Sequence, residues 1–204
     1  MRIAWTCRCL VVAALLGPMA APTDAAEPTP SALIAQFQRS LVETMKEAKA
    51  LGVRGRYERL AKPIDETFHV RLMAGIAAGD HWKNATEAQR TRMVDAFRRM
   101  AIATLATMIT GYSGEVFEMI GEKPGPQNTT IVDTRLVDSD ASSVELAYVG
   151  RQFDGRWRFI DVILDAGISE LKVRQSEYAR TLRESGIEGL IALLDRKADE
   201  LIAK

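Results

Sequence analysis

The run from Arg156 to Gln175, RWRFIDVILDAGISELKVRQ, constrains the fold more than any other stretch of the chain. Trp157, Phe159, Ile160, Val162, Ile163 and Leu164 crowd aromatic and aliphatic, mostly β-branched, side chains into what reads as a strand. Asp165-Ala166-Gly167 ends it, because glycine supplies a backbone angle that other residues resist. Ser169 then caps a helix, its hydroxyl accepting an orphan N–H of the first turn. A strand that becomes a helix over so short a turn fixes the sheet relative to the C-terminal helices. Being apolar on both faces, it is expected at the centre of a sheet or covered on both sides.

The segments before it supply the rest of that sheet. Residues 115–122, 128–138, 142–152 and 156–165 read as four successive strands, with Asp154-Gly155 as a hairpin turn. In the third, Val144, Leu146 and Tyr148 face one way while Ser143, Glu145 and Arg151 face the other.

Helical spacing dominates elsewhere. Ser31 is expected to cap a helix carrying Leu33, Phe37, Leu41, Met45 and Ala48, and Gly52 to end it. Residues 54–79 form a broken helical region interrupted at Pro63, in which Ile64, Phe68, Leu72 and Ile76 repeat every four residues as one apolar stripe. Thr86 and Gln89 match a capping box that opens a long helix reaching about Ile109. Met93, Phe97, Met100, Thr104 and Met108 share one of its faces, and Arg90, Arg92, Arg98 and Arg99 form a basic exposed side. Two helices, Ile168–Leu182 and a second carrying Ile187, Leu190, Ile191, Leu194 and Leu201, close the chain. Helices, then an antiparallel meander, then helices define an α+β class.

The N-terminus has the order of a secretory signal. Arg2 and Arg8 precede an apolar run from Leu10 to Leu16, followed by the small residues Ala20, Ala21, Ala25 and Ala26. That run is too short to cross a bilayer. The expected organisation is a cleaved signal over 1–26 and a single domain over 27–204. Cys7 and Cys9 both fall inside the signal, so the mature chain has no thiol chemistry. Lys and Arg total 27 against 27 Asp and Glu, a balance that gives no global field for nucleic acid.

Catalytic and metal-binding patterns are missing. His69 and His81 fit no ligand spacing, and neither a GxSxG elbow nor a GxxxxGK[ST] loop occurs. Asp161, in the strand that is apolar on both faces, is either a general base of raised pKa or a carboxylate that accepts structural hydrogen bonds. Methionines 45, 73, 93, 100, 108 and 119 suit either an ordinary core or a cavity with variable contents.

A family resemblance rests on Trp157, Asp161-Val162, Gly167-Ile168-Ser169 and Arg174, followed by Gly186, Gly189-Leu190-Ile191 and Leu194. These resemble the C-terminal signature of the MlaC, or toluene-tolerance, family of periplasmic lipid-binding proteins that serve MCE-type ABC transport. Ile168-Ser169-Glu170-Leu171 and Arg174 to Tyr178 are similar to its hopanoid-associated HpnM branch. The resemblance implies an NTF2-like fold, a curved four-stranded antiparallel sheet with helices over its concave face and a helical C-terminus. It further implies a monomeric periplasmic carrier, without cofactor, that takes one phospholipid or hopanoid between an inner-membrane MCE/ABC transporter and an outer-membrane lipoprotein complex. Its acyl chains would lie among Phe68, Leu72, Ile76, Met93, Phe97, Met100, Met108, Phe117, Met119, Val144, Leu146, Tyr148, Val162 and Leu164. Two alternatives stand beside it. One is an enzyme of the ketosteroid-isomerase type using Asp161 with Tyr148 or Tyr112, and the other is a filled-core adaptor that only docks proteins.

Overall fold

A computed structural model describes residues 27–204, so the expected secretory signal falls outside the described residues. Helix α1 (Pro30–Lys46) is capped by Thr29 instead of Ser31. The Thr29 hydroxyl accepts from Ala32 N–H, and Pro30 occupies the first turn, where its missing N–H goes unnoticed. The helical run that starts at Pro30 is interrupted at Glu47 and ends at Gly52, whose backbone (φ 60°, ψ −177°) is not helical and divides α2 (Ala48–Thr67) in two. Pro63 is carried in the second piece without breaking it.

At Phe68 the backbone becomes extended (φ −107°, ψ 145°). The spacing of four that joins Ile64 and Phe68 to Leu72 and Ile76 therefore crosses a break, and the four residues are not one stripe. His69 opens α3 (Val70–Ala78), its Nδ1 accepting from Leu72 N–H at 3.2 Å. After a short α4 (Asp80–Asn84), Thr86 and Gln89 form the expected capping box of α5 (Glu87–Met108).

The sheet is a simple antiparallel meander: β1 (Val116–Pro124), β2 (Thr130–Val137), β3 (Ser143–Phe153), β4 (Arg156–Leu164) and β5 (Ile168–Ser169). It has five strands, not four, because the two residues after Gly167 pair back onto Ile163 and Leu164. Asp154 and Gly155 both take positive φ in the β3–β4 hairpin, the backbone that a two-residue turn demands. β4 is not central. Its free edge takes only β5 at one end and a bridge from Phe68 to Phe159 at the other. The register skips Ile120 in β1 and Ile160 in β4, and each such bulge adds local twist and bend to the sheet.

The closing helical stretch α6 (Glu170–Ile202) is two helices, as expected, joined at Gly186, whose backbone (φ 63°, ψ −166°) is not helical. The arginines expected as a bare basic face of α5 are largely engaged: Arg98 with Asp65 at 2.6 Å, and Arg99 with both Asp195 and Asp199 at 2.6 Å.

Two apolar cores result. Met93, Ala96 and Phe97 from the first half of α5 pack with α3 and with Leu182, Leu190 and Leu194 of α6. Ile102, Ala106 and Ile109, at its other end, join α1, α2 and the sheet through Leu33, Phe37, Leu60, Val132, Tyr148 and Phe159.

Candidate functional site

Register pairing identifies the residues on the inner, helix-facing side of the sheet. Phe117, Leu136 and Val144 form one row across β1–β3. Met119, Thr134, Leu146, Leu164 and Ile168 form the next, across all five strands, and Val132, Tyr148 and Val162 a third. Directly paired residues of an antiparallel sheet share a face. Gln38 of α1 donates to the Thr134 hydroxyl at 3.0 Å, so this is the face that α1 covers.

Along these rows the face grades from closed to open. Val132, Tyr148 and Phe159 are buried, whereas Val144 is 36% exposed, Met119 41% and Ile168 52%. Phe117, Leu136, Leu146, Val162 and Leu164 are half-buried. The apolar rows thus continue past the sealed core onto a face that no other described part of the chain fully covers. The loops at that end, residues 110–115, 138–142 and 165–169, carry Glu115, Asp138, Asp140 and Asp165 and no lysine or arginine. Hydrogen bonds from Ser113 N–H and from the Ser142 hydroxyl and N–H hold the Glu115 and Asp140 carboxyls below their ordinary values, so this rim is anionic at neutral pH.

The closed end contains a small polar cluster. Thr134 Oγ1 accepts from Gln38 and donates to Leu146 O at 3.2 Å. Burial pushes the Tyr148 phenol up to about 12, against a smaller opposing effect of its hydrogen bond with Gln38. Tyr148 is therefore a neutral hydroxyl here.

The residues singled out from sequence divide among different surroundings. Phe68, Phe117, Leu146, Tyr148 and Val162 meet in the sheet-side core, and Met119, Val144 and Leu164 extend the same inner face outward. Met93 and Phe97 do not face the sheet; they are buried against α3 and α6, with Met100 packed onto the same cluster. Met108 is 70% exposed, Ile76 is exposed on α3, and Leu72 is half-buried beyond the break at Phe68. The methionine stripe misleads because α5 has two apolar faces in succession. Its sheet-side residues are Ile102, Leu105, Ala106 and Ile109, whose spacing of three, one and three is an equally regular helical signal. Gln38 and Thr134 have no signal in the sequence, since a polar residue reveals its burial only through its partner.

Asp161 is bound to the start of α6. One carboxylate oxygen accepts from Val162 N–H at 2.9 Å and Leu171 N–H at 3.0 Å, the other from the Ser169 hydroxyl. It pairs with Val149, while Tyr148 pairs with Val162. Neighbouring residues of a strand alternate faces, so Asp161 and Tyr148 lie on opposite sides of the sheet and do not form an acid–base pair. Tyr112 is exposed, with Lys46 Nζ 5.3 Å from its ring centre.

Two hollows open on the surface, the first of them also lined by Thr134, Leu146 and Leu164 of the inner-face rows. One, of about 370 Å³, is edged by Lys123, Asp133, Arg135 and Glu145, which form the ion pairs Lys123–Asp133 and Arg135–Glu145. The second, of about 280 Å³, lies between α1, the end of α2 and β4, lined by Leu33, Phe37, Lys62, Arg156 and Arg158 among others.

The family described as MlaC protein matches residues 35–196. A phospholipid-binding protein from Ralstonia solanacearum, solved in complex with a phospholipid, superposes with a TM-score of 0.75 at 18% sequence identity, over 87% of this chain and 100% of that one.

Proposed function

The chain belongs to the MlaC family, and on that premise we propose that it is a lipid carrier that shields acyl chains on the inner face of its sheet. The observation that carries this reading is the run of apolar rows that leaves the sealed core. Phe117, Leu136 and Val144, with Met119, Leu146, Leu164 and Ile168, offer aliphatic and aromatic surface on one continuous face. Each methylene transferred from water is worth about 0.8 kcal/mol, so even part of two acyl chains outweighs the loss of rotamer freedom on binding. The curved sheet under helices, NTF2-like in outline, provides the wall. A lipid tail entering between α1 and the sheet would displace the contacts that now close the face.

In this proposal the carrier acts in the periplasm after removal of residues 1–26, as one domain over 27–204 and as a monomer. It receives lipid from, or gives it to, an inner-membrane MCE/ABC transporter and an outer-membrane lipoprotein complex. The cargo is a phospholipid, supported by what the Ralstonia relative binds, or a hopanoid, supported by the resemblance of residues 168–178 to the HpnM branch.

The filled-core adaptor is the second reading, favoured by the tight packing of Phe37, Tyr148 and Phe159, all buried. Native mass spectrometry of the purified protein separates the two. A carrier leaves the cell with lipid bound, and fragmentation of that lipid distinguishes a glycerophospholipid from a hopanoid. Protein recovered at the bare polypeptide mass, and still bare after incubation with vesicles of either lipid, would put the adaptor first.

A further inference from the structure

At the hairpin end of the sheet, Arg151 of β3 and Arg158 of β4 are direct register partners. Like charges placed opposite one another on an antiparallel pair destabilise it. Such a pair is ordinarily relieved by carboxylates, but among the described residues neither guanidinium has one: the hydrogen bond from Arg158 goes to its neighbour's carbonyl, Trp157 O, at 2.9 Å. Arg156, two residues along the same strand, adds a third guanidinium at this end.

Arg156 and Arg158 also line the hollow of about 280 Å³ beside α1 and α2, together with Lys62, Ser40 and Gln36. Its two carboxylates are already engaged, Glu27 with Arg156 at 3.2 Å and Glu66 with Lys62 at 2.5 Å. Among the described residues, the charge of Arg158 is left without a counter-ion in a recess that has polar donors on its walls. The apolar side of the recess is Leu33 and Phe37, both core residues. The Phe37 ring meets Phe68 at 5.2 Å and Tyr148 at 6.5 Å, so this wall is the back of the same core that the inner face lines.

We propose that this groove binds a phosphate group, held chiefly by Arg158 with Ser40 at its edge, while Arg156 and Lys62 are shared with Glu27 and Glu66. Guanidinium forks match the oxygens of a phosphate in pairs, and an anion seated beside Arg158 would offset the charge that this residue sets opposite Arg151. The phosphate is that of a phospholipid headgroup or free inorganic phosphate. The groove rests on the carrier reading only for the molecule that brings the anion.

The test titrates delipidated protein calorimetrically with three probes: dihexanoylphosphatidylglycerol, dihexanoylglycerol and inorganic phosphate. Arg158→Gln and Arg156→Gln are compared with a remote control, Arg180→Gln, and circular dichroism verifies the fold of each. Loss of one charge-assisted contact is expected to weaken the phospholipid about tenfold in Arg158→Gln, with dihexanoylglycerol and the control unaffected. Removing one of two opposed charges should also raise the unfolding midpoint of the unliganded variant. If inorganic phosphate alone binds, and does so through Arg158, the site stands as one for free phosphate and the headgroup source is excluded. If the phospholipid binds wild type and both variants equally, the groove proposal is overturned while the carrier reading survives. Failure of both phosphate-bearing probes to bind wild-type protein overturns it as well.

Discussion

Asp161 reaches across the turn after β4 and accepts the backbone N–H of Leu171 at 3.0 Å, so a strand residue caps the helix that leaves the sheet. Ser169 completes the junction, accepting from Lys172 N–H while donating to the same carboxylate. The negative charge sits beside the N-terminal turn of α6, where the helix dipole favours it. Asp161→Asn keeps the shape but turns one acceptor oxygen into a donor and removes the charge. We expect it to cost about 1.5–3 kcal/mol, the range for hydrogen bonds to a charged group. Urea unfolding of the delipidated variant measures this, and a loss under about 0.5 kcal/mol, the size of an ordinary surface substitution, would mean that the junction does not stabilise the fold.

Legibility of the fold in the sequence depends on which interactions are local. The Thr86–Gln89 capping box, the Asp154-Gly155 turn and the Ser169 cap are decided within four residues and appear as expected. Gly52 and Gly186 likewise part helices where the sequence places a boundary, because a positive φ interrupts the helical backbone, although the chain turns helical again directly after each. The candidate site is half legible. Alternation identifies Val144, Leu146 and Tyr148 on one face of β3, whereas the bulges at Ile120 and Ile160 change face without any local mark. Met93 and Phe97 belong to the other core because periodicity says which residues share a face, not what that face meets.

Alkaline pH should destabilise the protein through two buried phenols. Burial raises Tyr148 and Tyr178 from 10.0 to about 12. In the unfolded chain both ionise near their ordinary value, while the folded protein keeps them neutral. Above about pH 10 the unfolded state therefore binds fewer protons, and stability falls as pH rises from about 10 to about 12. Below that window the two states hold the same phenolic protons and this contribution is constant. Thermal midpoints of wild type, Tyr148→Phe and Tyr178→Phe across about pH 9–12 should show a shallower decline in each variant. Parallel curves would mean that neither phenol is shielded from water.

Gly150 should not tolerate a side chain. A methyl group built on it would lie 2.9 Å from the ring of Phe159, which covers it from the paired strand beside the bulge at Ile160. Phe159 is fully buried and cannot withdraw without opening the sheet-side core. Gly150→Ala is expected to cost about 1–3 kcal/mol, as overpacking usually does. The double variant Gly150→Ala with Phe159→Leu should recover part of that loss, measured as a coupling in a double-mutant cycle. Strict additivity would mean that the ring is not what excludes the methyl group.

The two apolar cores allow cargo binding to be separated from folding. Val144 sits at the open end of the inner face, 36% exposed, while Phe97 is sealed between α5, α3 and α6 at 5%. A carboxylate at position 144 remains in contact with water, so Val144→Asp should change stability by less than about 1 kcal/mol. It would, however, place a charge where an acyl chain is to lie, and a charge is strongly disfavoured in an apolar surrounding. Phe97→Ala instead removes a ring from a filled core, at an expected cost of about 3–5 kcal/mol. It leaves the inner face untouched. The two variants should thus show opposite patterns: Val144→Asp folded but poor in co-purified lipid, Phe97→Ala less stable but lipid-loaded whenever it is folded. Both quantities must be measured on separate samples, lipid by native mass spectrometry and stability after delipidation, because bound lipid itself raises apparent stability. Retention of full lipid by Val144→Asp, with loss in folded Phe97→Ala, would move the cargo from the sheet to the helical core.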